Sequence, residues 1–298
     1  MPKRVLTIIL ISLAGLSQAQ QKDMNITKGG FVSVNFNQVQ FSNWAQGGDN
    51  SSSGTFIGNT FVKYKKGKKT WENYLDVAYG ILQTSDQGFG KTHKNEDKID
   101  FTSKYGRLAT HKVYYSALLN FRSQFAKGYN YPNDSVVISN FFSPAYLTIA
   151  LGMDYKPNDY FSIFVSPATA KFTFVTDKSL SAIGAYGVDS GKFFRKEFGA
   201  SMIIKFQKEI FTNVNLLSKL TLFDNYSDKR VAKRGNVDVN FEILLSMKVN
   251  KFLSANMFVN AIYDDDILVP LKNQADPDAK GKRLQIKETM GVGLSYKF

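Results

Sequence analysis

Apolar and polar residues alternate one for one along the last stretch of the chain, RLQIKETMGVGLSYKF, from Arg283 to Phe298. Leu284, Ile286, Met290, Val292, Leu294, Tyr296 and Phe298 share one face, broken by Glu288, while Gln285, Lys287, Thr289, Gly291, Gly293, Ser295 and Lys297 share the other. A period of two is the mark of a strand with one buried or lipid-facing side, and this run exceeds the usual length of a globular strand. The same phase recurs from Val237 to Val249, from Leu253 to Tyr263, from Ala145 to Tyr155 and from Leu75 to Ile81. In each case one face is oily and the other polar and mostly small.

Twelve such segments are predicted, roughly at 30–41, 54–66, 69–83, 96–107, 111–127, 143–156, 159–168, 194–207, 210–224, 235–249, 252–263 and 283–298. Their connections alternate between short and long. The short ones lie near Lys66-Gly67-Lys68, Ala109-Thr110, Pro157-Asn158, Lys208-Glu209 and Asn250-Lys251. The long ones cover about 42–53, 84–95, 128–142, 169–193, 225–234 and 264–282. A soluble β-sandwich also alternates, but it does not sort its loops by length. An even number of strands with short turns at one end and long loops at the other predicts an all-β fold: a twelve-stranded antiparallel transmembrane β-barrel of the outer membrane. Aromatic residues near the short turns, among them Tyr64, Trp71, Tyr114, Tyr115, Tyr155 and Phe211, read as one interfacial girdle. Phe56, Phe101, Phe194, Phe223 and Tyr263 read as the other.

The beginning of the chain fits export. Lys3 and Arg4 precede an apolar run from Val5 to Leu16 and a small-residue site ending at Ala19, which predicts a cleaved signal peptide over 1–19. A short periplasmic segment over 20–29 and a barrel over 30–298 complete the expected organisation. The apolar run is shorter than the ~20 residues of a spanning helix. The chain has no cysteine, which removes disulfides, thiolate metal sites and thiol catalysis. Its formal charge of +13 would suit nucleic acid. Export turns that reading toward anionic headgroups or solutes, with solvated loop lysines as the plain alternative.

Two motifs carry a family resemblance. The segment FSNWAQGGDNS, from Phe41 to Ser51, and the segment SPATAKFTFVTD, from Ser166 to Asp177, resemble signatures of DUF3078, a family of exported proteins of Bacteroidota, and GAYGVDSGK at Gly184 to Lys192 fits the loop that follows. The resemblance implies an outer-membrane barrel of unknown function and brings no catalytic residues. On the predicted topology Trp44, Gly47, Gly48, Asp49 and Asn50 belong to an extracellular loop, as a folded turn or as a contact surface. Pro167 is expected to end a strand. Lys171, Phe172, Phe174 and Asp177 then belong to a long loop read as a lid or lumen insert.

Candidate chemistry is sparse. His93 and His111 are the two histidines, placed at opposite ends of the expected barrel, so no Ser/His catalytic pair forms and no enzymatic activity is expected. Asp264 to Asp266, with Asp276 and Asp278, offer oxygen ligands without the spacing of a dedicated calcium loop. Neither metal nor cofactor is expected. The inward-facing charges Glu72, Asp76, Lys104, Arg122, Lys205, Lys219, Glu242, Lys248 and Lys287, with Asp100 and Glu197, line a water-filled path or knit a plug. Leu294, Tyr296 and Phe298 resemble a C-terminal assembly signal. The expected function is passive or gated passage of small polar solutes, with a non-conducting scaffold in a larger outer-membrane complex as the alternative. The expected partners are outer-membrane lipid, the barrel-assembly machinery and other outer-membrane proteins, not nucleic acid.

Overall fold

The computed structural model describes residues 25–39, 51–84, 92–130, 133–228, 230–231, 234–250, 252–266, 269–270 and 280–298. Chain order gives β1 (Asn25–Val39), β2 (Ser51–Lys66), β3 (Lys69–Thr84), β4 (His93–Thr110) and β5 (Val113–Ser123). A small hairpin follows, β6 (Gly128–Asn130) and β7 (Asn133–Ser139), then β8 (Ala145–Asn158) and β9 (Phe161–Phe174). One short helix, α1 (Lys178–Ala182), precedes β10 (Phe194–Phe211), β11 (Val214–Asn225), β12 (Val237–Lys248) and β13 (Leu253–Tyr263). The two-residue strands β14 (Val269–Pro270) and β15 (Lys280–Gly281) pair with each other, and β16 (Gln285–Lys297) ends the chain.

Twelve of these strands close in the order β1-β16-β13-β12-β11-β10-β9-β8-β5-β4-β3-β2, all antiparallel. The expected twelve-stranded barrel is what forms. No helix among the described residues is long and apolar enough to cross a membrane. Closure removes the unpaired edges that an open sheet would leave. It also gives every strand an inside and an outside, so the period of two becomes a lumen face and a surface face. The surface face is oily, with Val34, Phe36, Trp71, Tyr115, Leu151 and Leu294 all exposed.

The short turns sit where the strands run out. Gly67, Lys112 and Asn213 adopt positive φ in the connections after β2, β4 and β10, the hand that a tight hairpin demands. Three turns fall further along the chain than the alternation suggested, because the strands before them continue. β1 begins at Asn25, inside the stretch read as an N-terminal segment. Two aromatics assigned to girdles face the lumen instead. Tyr114 lies beneath the Lys156 ammonium, 5.3 Å from the ring centre, and Phe223 is buried under Lys171 at 5.0 Å.

The main departure from expectation is at Pro167. The strand does not end there. It runs to Phe174, so Pro167, Lys171, Phe172 and Phe174 belong to the barrel wall rather than to a lid. β9 carries one extra residue at this point: Val165 pairs with Met153 but Ala168 with Leu151, and the register against β10 shifts in the same place. Such a bulge reverses the alternation. Phe164 and Ser166 face inward before it; Thr169, Lys171 and Thr173 face inward after it. Ser166 fixes the bulge, its hydroxyl bonding the Leu151 carbonyl at 2.8 Å and the Ala168 carbonyl at 3.0 Å, while Thr169 donates to Ser166 at 3.0 Å. Proline is tolerated because the ladder is already broken there.

Gly152 faces this bulge, and a β-carbon on it would lie 2.0 Å from the Val165 carbonyl oxygen. Replacing Gly152 by Ala is expected to lower barrel stability by about 1–3 kcal/mol, the usual cost of overpacking. Urea unfolding of the refolded protein measures it, and a change below about 0.5 kcal/mol would mean that the bulge is free to shift.

Candidate functional site: a lumen of layered charges

The lumen face carries charge at three levels. Nearest the short turns, Glu72 on β3, Lys104 on β4, and Asp154 and Lys156 on β8 form a closed ring. The distances are Lys104–Asp154 2.6 Å, Lys156–Glu72 2.5 Å, Lys156–Asp154 3.3 Å and Lys104–Glu72 3.9 Å. Asp154 is fully buried. The two lysine ammonium groups hold it in place.

At the middle level Lys98 on β4 stands 4.0 Å from Asp100 and 3.8 Å from Glu242 on β12. β4 and β12 lie opposite each other in the closed order, so this pair spans the lumen. Asn120 donates to Asp100 at 2.6 Å and Asn59 donates to Asp76, which fixes both carboxylates in place. Beside this level, Leu118, Ala150 and Phe164, with Ile203 packed against them, put an apolar cluster on the inner face of the β5–β8–β9–β10 wall. A cavity of about 190 Å³ lies alongside, lined among others by Arg122, Tyr146, Asn240, Glu242 and Lys287.

The outer level follows the bulge. Lys171, turned inward by it, stands 3.7 Å from Glu197 and 3.6 Å from Asp238. Arg195 bridges Glu197 at 2.7 Å and Asp266 at 2.9 Å, and Arg230 joins Asp266 at 2.5 Å and Asp228 at 3.1 Å. Asp265 pairs with Lys282 and accepts from Asn236 at 2.9 Å. Asp265 and Asp266 thus turn to separate cations, while Asp264 accepts from the Asp266 amide at 2.8 Å. Asp276 and Asp278 lie outside the described residues.

Of the predicted lid residues, Asp177 alone sits in the loop. It caps α1, accepting from the Ser179 and Leu180 amides at 2.9 and 3.2 Å, and it accepts from Asn140 at 2.9 Å. The Ser179 hydroxyl and the Asn140 amide hold its carboxyl down at about 2. Below α1 a small core of Val175, Leu180 and Val188 packs with Ala185 and Tyr186, and the Tyr186 hydroxyl bonds the Ile138 carbonyl on β7. This folded cap reaches the lumen mouth at Gly187, where an added β-carbon would meet the Arg195 guanidinium.

The structure brings together most of the sequence-predicted lumen charges. Glu72 and Lys104 share the lower ring, while Asp100 and Glu242 both lie within 4.0 Å of Lys98. Lys287 reaches Glu96 at 2.7 Å. Lys205 and Lys219 are direct cross-strand partners. Lys248 stands exposed at the short-turn end of β12. Asp154, Lys156, Lys98, Asp238 and Arg195 were missed, although Asp154 stands on the polar face of β8 and Lys98 is in phase with Asp100 and Lys104. Their parity was the available signal. His93 and His111 stand at the two ends of β4. Trp44, Gly47, Gly48, Asp49 and Asn50 lie outside the described residues.

A closed antiparallel barrel of twelve strands, apolar outside and charged inside, defines the class: this is a β-barrel built like those of outer membranes. Residues 36–129 match the model of a family described as "Protein of unknown function (DUF3078)", the family that the motif around Trp44 resembles. Among solved structures the chain is similar to the translocator domain of the autotransporter NalP from Neisseria meningitidis, with 8% identity, 99% of this chain and 95% of that one covered, and a TM-score of 0.38. It is also similar to an outer membrane channel from Pseudomonas putida F1, with 11% identity, coverage of 95% and 97%, and a TM-score of 0.37. An anion-selective porin from Comamonas acidovorans follows at 8% identity, coverage of 93% and 100%, and a TM-score of 0.32. No curated protein matches the chain.

Proposed function

We propose that the protein is an outer-membrane channel that passes small polar solutes through a narrow, charge-lined lumen, gated where side chains meet across it. The observation that carries this reading is the layering of ionisable groups along the inner face from the short-turn end to the mouth. A barrel that needs only to be filled does so with side chains packed against one another. Charges kept along an axis suit hydrated solutes instead. The Lys98–Glu242 pair is the gate in this reading, because the two charges meet from opposite walls. The same pair favours the second reading, a non-conducting scaffold, if it never opens.

Planar-bilayer recording of the refolded protein separates the two. The wild type is expected to show small, interrupted conductance, and Lys98→Ala or Glu242→Ala to raise it several-fold. Silence in all three would discard the channel and leave the scaffold, whose partners would then be sought by cross-linking in whole membranes.

A further inference from the structure

We propose that the lumen contains a binding site for a compact phosphate-like oxyanion, held by Lys63, Lys205 and Lys219 beside the ring of Tyr74. The proposal rests on the barrel reading above and deepens it by naming a class of solute.

Lys205 on β10 and Lys219 on β11 are register partners facing the lumen, and like charges directly opposite on antiparallel strands repel. Across the lumen, the Lys205 ammonium stands 3.9 Å from the centre of the Tyr74 ring on β3. The Lys63 ammonium on β2 approaches the same ring at 5.6 Å. Two cations from different walls therefore approach one aromatic ring, and Lys219 is the register partner of one of them.

Nearby carboxylates do not neutralise the group. Glu72, the register partner of Lys63, and Asp154 make their ion pairs with Lys104 and Lys156 in the lower ring. Asp76 is the carboxylate that acts on Lys205, against the like charges of Lys63, Lys219 and Lys104. Asp76 itself accepts from Asn59 and is shared with Lys98 and Lys219. Among the described residues, Lys63, Lys205 and Lys219 form no ion pair with a carboxylate; Asp76, Asp100 and Glu242, the last the register partner of Lys219, act on Lys219 from further off and are shared with Lys98 and Arg122, so five cations face three carboxylates and positive charge stays in surplus. Cation–π contact offsets part of that repulsion. An anion offsets the rest, and the donor set favours a tetrahedral one. Three ammonium groups from three strands donate from different directions, which suits an ion with several strongly accepting oxygens.

The test uses the full chain refolded in detergent, at constant ionic strength balanced with chloride. Calorimetric titration with inorganic phosphate is expected to show one site. Lys205→Gln and Lys219→Gln should each weaken it at least about tenfold, as the loss of one charge-assisted hydrogen bond requires. Lys63→Gln serves as a further variant, and heat-dependent gel migration verifies that each variant has folded. Thermal unfolding supplies a second readout with a characteristic reversal. In chloride alone Lys205→Gln is expected to be as stable as the wild type or more so, because repulsion is relieved, whereas added phosphate should stabilise the wild type alone. Glycerol 3-phosphate run beside inorganic phosphate identifies the source: binding of either supports the site, and the tighter one names whether a free ion or a phosphate monoester is preferred. Absence of binding to the wild type, or equal binding to wild type and variants, overturns the proposal. Binding without conductance would sink the channel reading alone, and conductance without binding would sink this site alone.

Discussion

Asp154→Asn is expected to destabilise the barrel by about 3–5 kcal/mol, the range found when one partner is removed from a buried ion pair. The side chain is fully buried and faces two ammonium groups, at 2.6 Å from Lys104 and 3.3 Å from Lys156. Asparagine keeps the shape and removes the charge. Lys104 and Lys156 are then left to share Glu72, and the closed ring becomes a cationic pair on one acid. The companion variant, Asp154→Asn with Lys104→Met, restores charge balance and should recover at least half of the loss. Equilibrium urea unfolding in lipid vesicles measures both. A single-variant effect below about 1 kcal/mol would mean that water screens the ring as it does a surface pair, and the lower lumen would then have to be wide and wet.

That ring also shows what the sequence made legible. Strand number, antiparallel order and the alternation of short and long connections follow from a period of two, which β16 displays with Glu288 as its one break. The lumen charges were legible wherever phase held: Glu72, Asp76, Lys104 and Arg122 fall on the polar positions of unbroken strands. Phase alone does not give distance. Nothing in the linear pattern says that Lys98 will meet Glu242, because that contact depends on which strands oppose each other after closure. The reading failed at β9 for a definable reason. One extra residue near Pro167 shifts the alternation from even to odd positions, so Lys171 appears out of phase with Phe164 and Ser166 although all three face the lumen. A proline at a lost phase resembles a strand end. What distinguishes a bulge is the partner strand, where Gly152 supplies the room.

Phase also accounts for two misassigned aromatics. Tyr114 and Tyr115 are neighbours near one short turn, and only one of two successive strand residues can face outward. Tyr115 is exposed, whereas Tyr114 turns inward under Lys156. Phe223 is similarly claimed by the lumen, where it receives the Lys171 ammonium. An aromatic count near a turn is therefore a weaker guide to a girdle than its parity is.

Deleting Phe298 is expected to be far more damaging than replacing it by Ala. Its amide donates to the Gly30 carbonyl at 3.1 Å, and its own carbonyl accepts from the Gly30 amide at 3.0 Å. These two bonds extend the β1–β16 seam, whose register otherwise runs from Phe31/Lys297 to Phe36/Val292, while β1 pairs with β2 along its full length. Removing the residue orphans a donor and an acceptor on Gly30, at roughly 1–3 kcal/mol each if water cannot reach them. Phe298→Ala leaves both bonds in place. The ring it removes is 53% exposed and stacks on Tyr296 at 6.3 Å, on the outer surface. Refolding into vesicles should therefore be near wild type for Phe298→Ala and impaired for the deletion. Assembly in cells asks a different question, because Leu294, Tyr296 and Phe298 all display their side chains outward. If Phe298→Ala refolds normally in vesicles but accumulates unassembled in cells, the ring is read by the assembly machinery before the barrel closes. If the two settings agree, the residue acts only as the last rung of the seam.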